Sequence, residues 1–220
     1  MMHQNKSSRG ADIFGRRPVI PVLTLDGARQ AVALARALVA GGLDVLEVTL
    51  RTAVAIEAIS AIAQELPEAI VGAGTVLDAS QMLEAERAGA KFLVSPGYSD
   101  PLLAAADDCR LPWLLGAATA SEVQALRERG HSTLKFFPAE PMGGTATLKA
   151  LQPVFPDVAF CPTGGIDATR AKDYLQLSNV IAVGGSWVAP SNLLDNGDFS
   201  AITRRAAEAA KLERKYSARG

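Results

Sequence analysis

Residues 133–140 read TLKFFPAE, a short run of β-branched and aromatic residues that contains one lysine and ends in a proline and an acid. Side chains alternate across a β-strand, so Lys135 and Phe137 share one face while Leu134 and Phe136 share the other. In a parallel sheet covered by helices both faces are buried. The pattern therefore predicts a strand in which Lys135 is removed from water.

Similar β-branched runs occur along the chain from Pro18 onward, and they alternate with longer segments of helical period. The predicted strands are Val19–Leu23, Val45–Val48, Ile70–Gly74, Phe92–Ser95, Trp113–Ala117, Thr133–Phe137, Ala159–Thr163 and Val180–Gly184. The predicted helices are Ala28–Ala40, Val54–Glu65, Ser80–Ala88, Pro101–Asp108, Ser121–Arg129, Thr145–Val154, Ala168–Leu177 and Phe199–Lys215. Ser80 and Ser121 are predicted N-caps, and Gly41, Gly89 and Gly130 are predicted left-handed C-terminal residues.

Eight βα units can form an open doubly wound sheet or a closed barrel. An open sheet gathers its site residues where the strand order reverses, whereas every strand of a barrel contributes at its carboxyl end. Polar or glycine-rich residues end seven of the eight predicted strands, at 47–52, 74–75, 95–97, 119, 135–140, 163–165 and 184–186. The prediction is a single-domain α/β protein with a (β/α)₈ TIM barrel over residues 18–220, preceded by a polar extension and a short helix over residues 1–17.

Lys135 is the first candidate catalytic residue. Desolvation at an apolar strand end favours the neutral amine, which can attack a ketone and form an iminium. The alternative is a structural lysine that is buried and paired with a carboxylate.

Glu47 lies on the second predicted strand, on the same face as Val45 and Thr49. A carboxylate on an apolar strand needs a partner or a proton to transfer, so Glu47 is a candidate proton shuttle. A Glu47–Arg51 salt bridge is the alternative. Arg51 could instead bind a substrate carboxylate through its planar donors.

Two glycine-rich segments follow the last two strands, Thr163-Gly164-Gly165 and Gly184-Gly185-Ser186. Loops after strands seven and eight of such barrels often bind phosphate through backbone N–H groups. Together, the two segments therefore predict a phosphate site. Thr75 and Pro96, after strands three and four, are weaker candidates for the pocket, with simple turn roles as the alternative.

The composition excludes several classes of function. Hydrophobic residues make up 49% and charged residues 20% of the 220 residues, and the net charge is −1, so neither disorder nor nucleic-acid binding is expected. No segment has the length and apolarity of a membrane helix or a secretory signal, and Cys109 and Cys161 match no metal or redox spacing, which favours a cytoplasmic protein. Two histidines without a carboxylate cluster disfavour a metal site.

The ordered set of motifs resembles the bacterial 2-keto-3-deoxy-6-phosphogluconate (KDPG) and 4-hydroxy-2-oxoglutarate (KHG) aldolases. The matching segments are Glu47–Thr52, Gly72–Leu77, Ser95–Gly97, Lys135–Glu140, Cys161–Ile166 and Gly184–Trp187. The resemblance implies a class I, metal-independent and cofactor-free aldolase that releases pyruvate and glyceraldehyde 3-phosphate, the last step of the Entner–Doudoroff route.

The same resemblance implies a role for each matching residue. Lys135 would form the Schiff base and Glu47 would shuttle the proton. Arg51 and Thr75 would hold the pyruvate carboxylate, with Pro96 and Phe137 lining the pocket. The residues that would bind the phosphate group are Thr163, Gly164, Gly165, Gly185 and Ser186. It also implies a homotrimer and a side activity on 4-hydroxy-2-oxoglutarate.

Alternative functions stay open from the sequence. Preference for 4-hydroxy-2-oxoglutarate or for a 6-phosphogalactonate-type substrate would use the same lysine. A phosphosugar isomerase, a synthase or a phosphosugar-binding barrel would share the glycine loops but would not require the buried lysine.

Overall fold

The computed structural model describes residues 10–216, in which eight parallel strands alternate with helices. The strands are β1 (Val19–Leu23), β2 (Val45–Thr49), β3 (Ile70–Gly74), β4 (Leu93–Val94), β5 (Trp113–Ala117), β6 (Thr133–Phe136), β7 (Ala159–Pro162) and β8 (Val183–Gly185). The helices are α1 (10–14), α2 (Ala28–Ala40), α3 (Ala55–Glu65), α4 (Ala79–Arg87), α5 (Asp100–Asp108), α6 (Ala120–Glu128), α7 (Gly144–Leu151), α8 (Ala168–Leu175), α9 (Ser191–Asp195) and α10 (Phe199–Ala210).

The strands form one sheet that closes on itself. Strands β1 to β7 pair in sequence order, and β8 pairs with β1. Isolated bridges from Phe160 to Val180 and from Thr163 to Gly184 join the β7 side of the sheet to the β8 side and close the barrel. The predicted (β/α)₈ barrel is therefore confirmed, and the carboxyl ends of all eight strands meet at one rim.

Most element boundaries agree with the prediction to within two residues. Larger differences occur in α7, which ends at Leu151 rather than Val154, and at the end of the chain. Strand β8 begins at Val183 rather than Val180, because Val180 forms only an isolated bridge. The last helix ends at Ala210 instead of Lys215, and the Lys215 amide bonds to the carbonyl of Leu175. The short helix α9 precedes it and was not predicted.

The helix caps correct three of the five predicted cap residues. Ser80 and Ser121 lie inside their helices, while Asp78 and Thr119 accept the capping hydrogen bonds from the backbone. Gly89 and Gly130 have the predicted positive φ, but at the end of α2 the left-handed residue is Gly42 instead of Gly41. Gly41 is required for another reason: a Cβ there would lie 2.4 Å from that of Ala206 on α10.

The barrel interior is filled by a core separate from the layer between strands and helices. Its buried members are Phe14, Ile20, Val45, Phe92, Val94, Leu114, Ala159, Cys161, Ile181 and Ala182. Phe14 of α1 packs edge-on against Phe92 with ring centroids 5.4 Å apart. Helix α1 thus closes the amino-terminal end of the barrel and leaves the carboxyl-terminal rim for the site.

The chain between α1 and β1 is held by ion pairs. Arg16 and Arg17 bind the buried Asp44 through their Nε atoms at 2.6 and 2.8 Å. Residues 1–9, the polar part of the predicted extension, lie outside the described residues. Over residues 10–216, no helix is long and apolar enough to cross a membrane.

Candidate active site

Lys135 and Glu47 form an ion pair inside the barrel. Nζ of Lys135 donates a hydrogen bond to Oε1 of Glu47 at 3.1 Å. The two residues are only 5% and 3% exposed, so the pair is shielded from water. Glu47 pairs with Lys135 rather than with Arg51, which rules out the salt bridge considered as the alternative role of Glu47.

The pair occupies the interior because of strand parity. Glu47 lies between Val45, a member of the interior core, and the buried Thr49. On β6, Leu134 and Phe136 belong to the core between strands and helices, so Lys135 points to the opposite side. Both orientations follow the alternation that the sequence predicted.

Glycines on the intervening strands make room for this pair. A Cβ on Gly74 of β3 would lie 2.3 Å from Oε1 of Glu47. Gly116 of β5 pairs in register with Lys135, and a Cβ there would lie 2.1 Å from the carbonyl oxygen of Pro96. Gly74 therefore leaves room for the Glu47 carboxylate, and Gly116, beside Lys135, leaves room for the main chain at Pro96.

Besides Glu47, Lys135 has Phe137 and Cys161 as neighbours. Nζ lies 5.4 Å from the ring centroid of Phe137. Cys161 is its register neighbour on β7, and burial raises the pKa of that thiol to about 12, with an opposing effect from Lys135 and a smaller rise from Glu47. The thiol is therefore neutral, and Glu47 is the acid that faces the amine.

A cavity of about 330 Å³ opens at the carboxyl-terminal rim. Its lining consists of Val22, Thr24, Arg51, Phe137, Thr163, Gly164, Gly165, Ile166, Gly184, Gly185 and Ser186. Seven predicted site residues are among these, and Phe137 connects the cavity to Lys135. Arg51 is the only charged residue in this lining, so the cavity favours anionic ligands.

Two predicted pocket residues, Thr75 and Pro96, lie outside that lining. Thr75 follows the Gly74 that contacts Glu47, and its φ of 61° is the only positive value at a non-glycine residue in the described part of the chain. Pro96 packs its carbonyl group against Gly116, beside β6. Both therefore flank the Lys135–Glu47 pair at the level of the strands.

The two glycine loops face each other across β7 and β8. Thr163 is bridged to Gly184, and a Cβ on Gly184 would lie 2.3 Å from Oγ1 of Thr163. Gly164 and Gly165 have φ values of 107° and 79°. Within residues 10–216, no acceptor is bonded to the N–H groups of Gly164, Gly165 or Ser186, so these donors are available for an anion.

The sequence did not predict every residue of the site. Thr24 lines the cavity, and its hydroxyl lies 3.0 Å from that of the buried Thr49, which in turn donates to the carbonyl of Leu23. Thr24 follows β1, the one strand that is missing from the list of polar strand ends in the sequence analysis. A polar residue at a barrel strand end could have identified it.

Groups of three or more His, Cys, Asp or Glu side chains that could hold a metal ion do not occur in the described residues. The chemistry available from the observed side chains is an amine next to a carboxylate, beside a cavity with one arginine and free backbone donors.

The chain is similar to known proteins over nearly its whole length. The family model described as KDPG and KHG aldolase matches residues 11–205. The KHG/KDPG aldolase of Escherichia coli strain K12 is 48% identical over 212 residues, which cover 95% of this chain and 100% of that protein.

Two solved structures are similar over nearly the whole chain. The KDPG aldolase of Legionella pneumophila, with pyruvate captured as a covalent carbinolamine intermediate, has a TM-score of 0.90 and 42% identity, covering 92% of this chain and 98% of that one. The 2-keto-3-deoxy-6-phosphogluconate aldolase of Zymomonas mobilis ZM4 with 3-phosphoglycerate has a TM-score of 0.90 and 43% identity, covering 96% and 100%.

Proposed function

The chain belongs to the KDPG and KHG aldolase family, and from that premise we propose that it cleaves 2-dehydro-3-deoxy-6-phosphogluconate to pyruvate and D-glyceraldehyde 3-phosphate, as a metal-independent class I aldolase of the Entner–Doudoroff pathway. The observation that carries the proposal is the buried Lys135–Glu47 pair, 3.1 Å apart. Phe137 contacts Lys135 and also lines the cavity, which is rich in backbone donors. A phosphorylated keto acid needs both a nucleophilic amine and an anion site.

The reaction begins at Lys135. Its ammonium group passes a proton to Glu47 along the hydrogen bond that joins them. The neutral amine adds to the C2 ketone, and loss of water from the carbinolamine gives a protonated iminium. The iminium accepts electrons from the bond to be broken.

Cleavage requires a base at the C4 hydroxyl group. Glu47 first returns its proton to the hydroxyl group of the carbinolamine, which leaves as water. The Glu47 carboxylate then takes the proton of the C4 hydroxyl group, through a water molecule where the distance requires one. The C3–C4 electron pair moves into the iminium, so the aldehyde leaves and an enamine remains. Reprotonation of the enamine at C3 and hydrolysis release pyruvate and the free amine.

The remaining site residues bind the two ends of the substrate. Arg51 and Thr75 hold the carboxylate at C1, while Pro96 and Phe137 line the pocket around the reacting carbons. Thr163, Gly164, Gly165, Gly185 and Ser186 bind the phosphate group at C6. The single cation of the cavity rim and the free N–H groups of the glycine loops support this assignment.

We also propose a side activity on 4-hydroxy-2-oxoglutarate, because the name of the Escherichia coli relative includes it and the same lysine and carboxylate groups would serve an unphosphorylated substrate. The enzyme is proposed to act as a homotrimer in the cytoplasm, where its charged substrate is retained. Light scattering after gel filtration measures the assembly.

Borohydride trapping tests the Schiff base. Wild-type enzyme incubated with pyruvate and sodium borohydride should carry one reduced adduct on the peptide that contains Lys135. Lys135→Met should show no adduct and no pyruvate release, whereas a control, Lys149→Met on helix α7, should behave as wild type. An adduct on another lysine, or none in wild type, would refute the mechanism.

Ser186→Ala tests the phosphate site and the substrate preference together. Ser186 lines the cavity, is exposed, and directly follows the end of β8. Its loss should lower kcat/KM for the phosphorylated acid by about tenfold and leave 4-hydroxy-2-oxoglutarate cleavage unchanged. Equal values for the phosphorylated acid in variant and wild type would place the phosphate elsewhere.

A further inference from the structure

Glu140 contacts the Gly164–Gly165 loop from behind, although the proposed mechanism gives it no role. Its backbone N–H donates to the carbonyl of Gly164 at 3.1 Å. A Cβ on Gly165 would lie 2.9 Å from Cβ and Cγ of Glu140, so the two residues are in direct van der Waals contact. The segment after β6 therefore supports the loop after β7.

The carboxylate of Glu140 is held from helix α8 by two donors. The hydroxyl group of Tyr174, a residue only 1% exposed, donates to Oε1, and Nε of Arg170 lies 3.1 Å from Oε2. Burial, followed by the hydrogen bond to the carboxylate, raises the pKa of Tyr174. Tyr174 therefore remains a donor throughout the pH range of an enzyme assay.

Arg170 also contacts the loop itself. Its Nη1 donates to the carbonyl of Gly165 at 3.2 Å and pairs with Asp167 at 2.8 Å. The carbonyl groups of both glycines are thus bound by neighbours, Gly164 by Glu140 and Gly165 by Arg170. Since a carbonyl bound on one side orients the adjoining peptide, the N–H groups of the loop are held toward the other side, where the cavity lies.

The loop depends on such support because it has no side chains of its own. Gly164 and Gly165 are consecutive residues with positive φ, and glycine loses more conformational freedom on ordering than any other residue. An anion site made of backbone donors binds well only when those donors are already ordered before the ligand arrives.

We propose that Glu140, Tyr174 and Arg170 form a clamp that holds the Gly164–Gly165 loop in its phosphate-binding conformation and thereby sets the preference for phosphorylated substrates. The inference rests on the proposed function and adds positioning residues to it. None of the three touches the reacting carbons. Their effect passes through the loop and is confined to substrates that carry a phosphate group.

Tyr174→Phe is the most selective test, since it removes one hydroxyl group from a buried ring. The two substrates to compare are 2-dehydro-3-deoxy-6-phosphogluconate and its unphosphorylated counterpart. The variant should raise KM for the phosphorylated acid by about tenfold, the effect of one hydrogen bond to a charged group. Its kcat/KM for the unphosphorylated acid should stay within about twofold of wild type, and inhibition by inorganic phosphate should weaken in parallel with the KM effect.

Glu140→Gln is the second variant, because it keeps the size of the side chain and loses the ion pair with Arg170. The control is Asp157→Asn, which breaks the carboxylate–arginine pair with Arg127 at the amino end of β7, away from the loop. Glu140→Gln should repeat the selective KM effect, and the double variant with Tyr174→Phe should be less than additive. Equal losses on both substrates, or none on either, would overturn the clamp.

Pyruvate trapping separates this proposal from the function on which it rests. The clamp variants should form the Lys135 adduct as readily as wild type, since pyruvate carries no phosphate group. Failure of trapping in wild type would refute the aldolase mechanism. Normal trapping with unchanged substrate preference would refute only the clamp.

Discussion

Lys135 and Glu47 lie on strands β6 and β2, which are diametrically opposed in the eight-stranded barrel, yet their Nζ and Oε1 atoms are 3.1 Å apart. The two side chains therefore cross the interior to meet. A charge buried without its partner is costly, so each residue stabilises the other in the resting enzyme. The same contact gives the amine a proton acceptor.

Glu47→Gln should remove the base that bond cleavage requires. The amide keeps the size of the side chain and can still accept from Lys135, but it cannot take a proton from the C4 hydroxyl group. We expect kcat for cleavage to fall by about 10²- to 10⁴-fold. Trapping of pyruvate on Lys135 should be slower than in wild type, because Glu47 also accepts the Lys135 proton during imine formation, but the adduct should still form on Lys135. The exposed control Glu128→Gln on α6 should match wild type. A Glu47→Gln enzyme of normal kcat would exclude the proton-shuttle role.

Gly74→Ala should displace Glu47, because the new Cβ would lie 2.3 Å from Oε1. Gly72→Ala is a matched control on the same strand, where a Cβ would lie 2.4 Å from the ring of Phe92. Both substitutions overpack the barrel and should lower the free energy of unfolding by about 1–3 kcal/mol.

Catalysis should distinguish the two glycine variants. Only Gly74→Ala should lower kcat measured per folded enzyme, since only its methyl group reaches the Lys135–Glu47 pair. Urea unfolding and pyruvate release on the same samples provide the comparison. A similar kcat loss in both variants would mean that general overpacking, rather than the position of Glu47, limits the reaction.

Asp44 should make barrel stability depend on pH at the acid end. Burial raises the pKa of this carboxyl, but the hydrogen bonds from Arg17 and Arg16 outweigh it, and the net pKa is lowered. A lowered folded-state pKa means that the stabilisation is complete above the unfolded value of 3.8 and is lost as the pH falls through the folded value.

Asp44→Asn should therefore lower the free energy of unfolding by about 1–2 kcal/mol near neutral pH. The difference from wild type should vanish below the folded-state pKa, where the wild-type carboxyl is also neutral. Glu65→Gln, which breaks an exposed pair with Arg36 at 3.7 Å, is the control and should have little effect. A pH-independent difference for Asp44→Asn would show that the ion pairs do not cause it.

Cys161 should be unreactive in the folded enzyme although it is the register neighbour of Lys135. With a pKa near 12, only about one thiol in 10⁴ is ionised at about pH 8. Its raised folded-state pKa contributes stability below the unfolded value of 9.0, and this contribution is lost as the pH rises toward 12.

Alkylation with iodoacetamide measures this directly. The peptide that contains Cys161 should be labelled at least about 100-fold more slowly in the native enzyme than in urea at the same pH. Comparable rates in the two states would show that the thiol is accessible from the substrate cavity.

Local patterns were enough to predict the barrel. β-branched runs, helical periods and polar strand ends give eight βα units, and parity along β2 and β6 puts Glu47 and Lys135 in the interior. The caps were less predictable. Ser80 and Asp78 both have side chains that can cap, and which one does so depends on where the preceding loop leaves the strand.

The sequence by itself determined which residue types lie at the strand ends. The alternation of side chains along a strand and the residues that form a turn are both local properties of the sequence. Only the tertiary structure decided which of them meet. Closure of the sheet brings Lys135 to Glu47 across 88 residues, and it brings Glu140, Tyr174 and Arg170 behind a loop of glycines. Such contacts depend on how three or more elements pack. The spacing of residues within one segment does not fix the distance between side chains on two different segments.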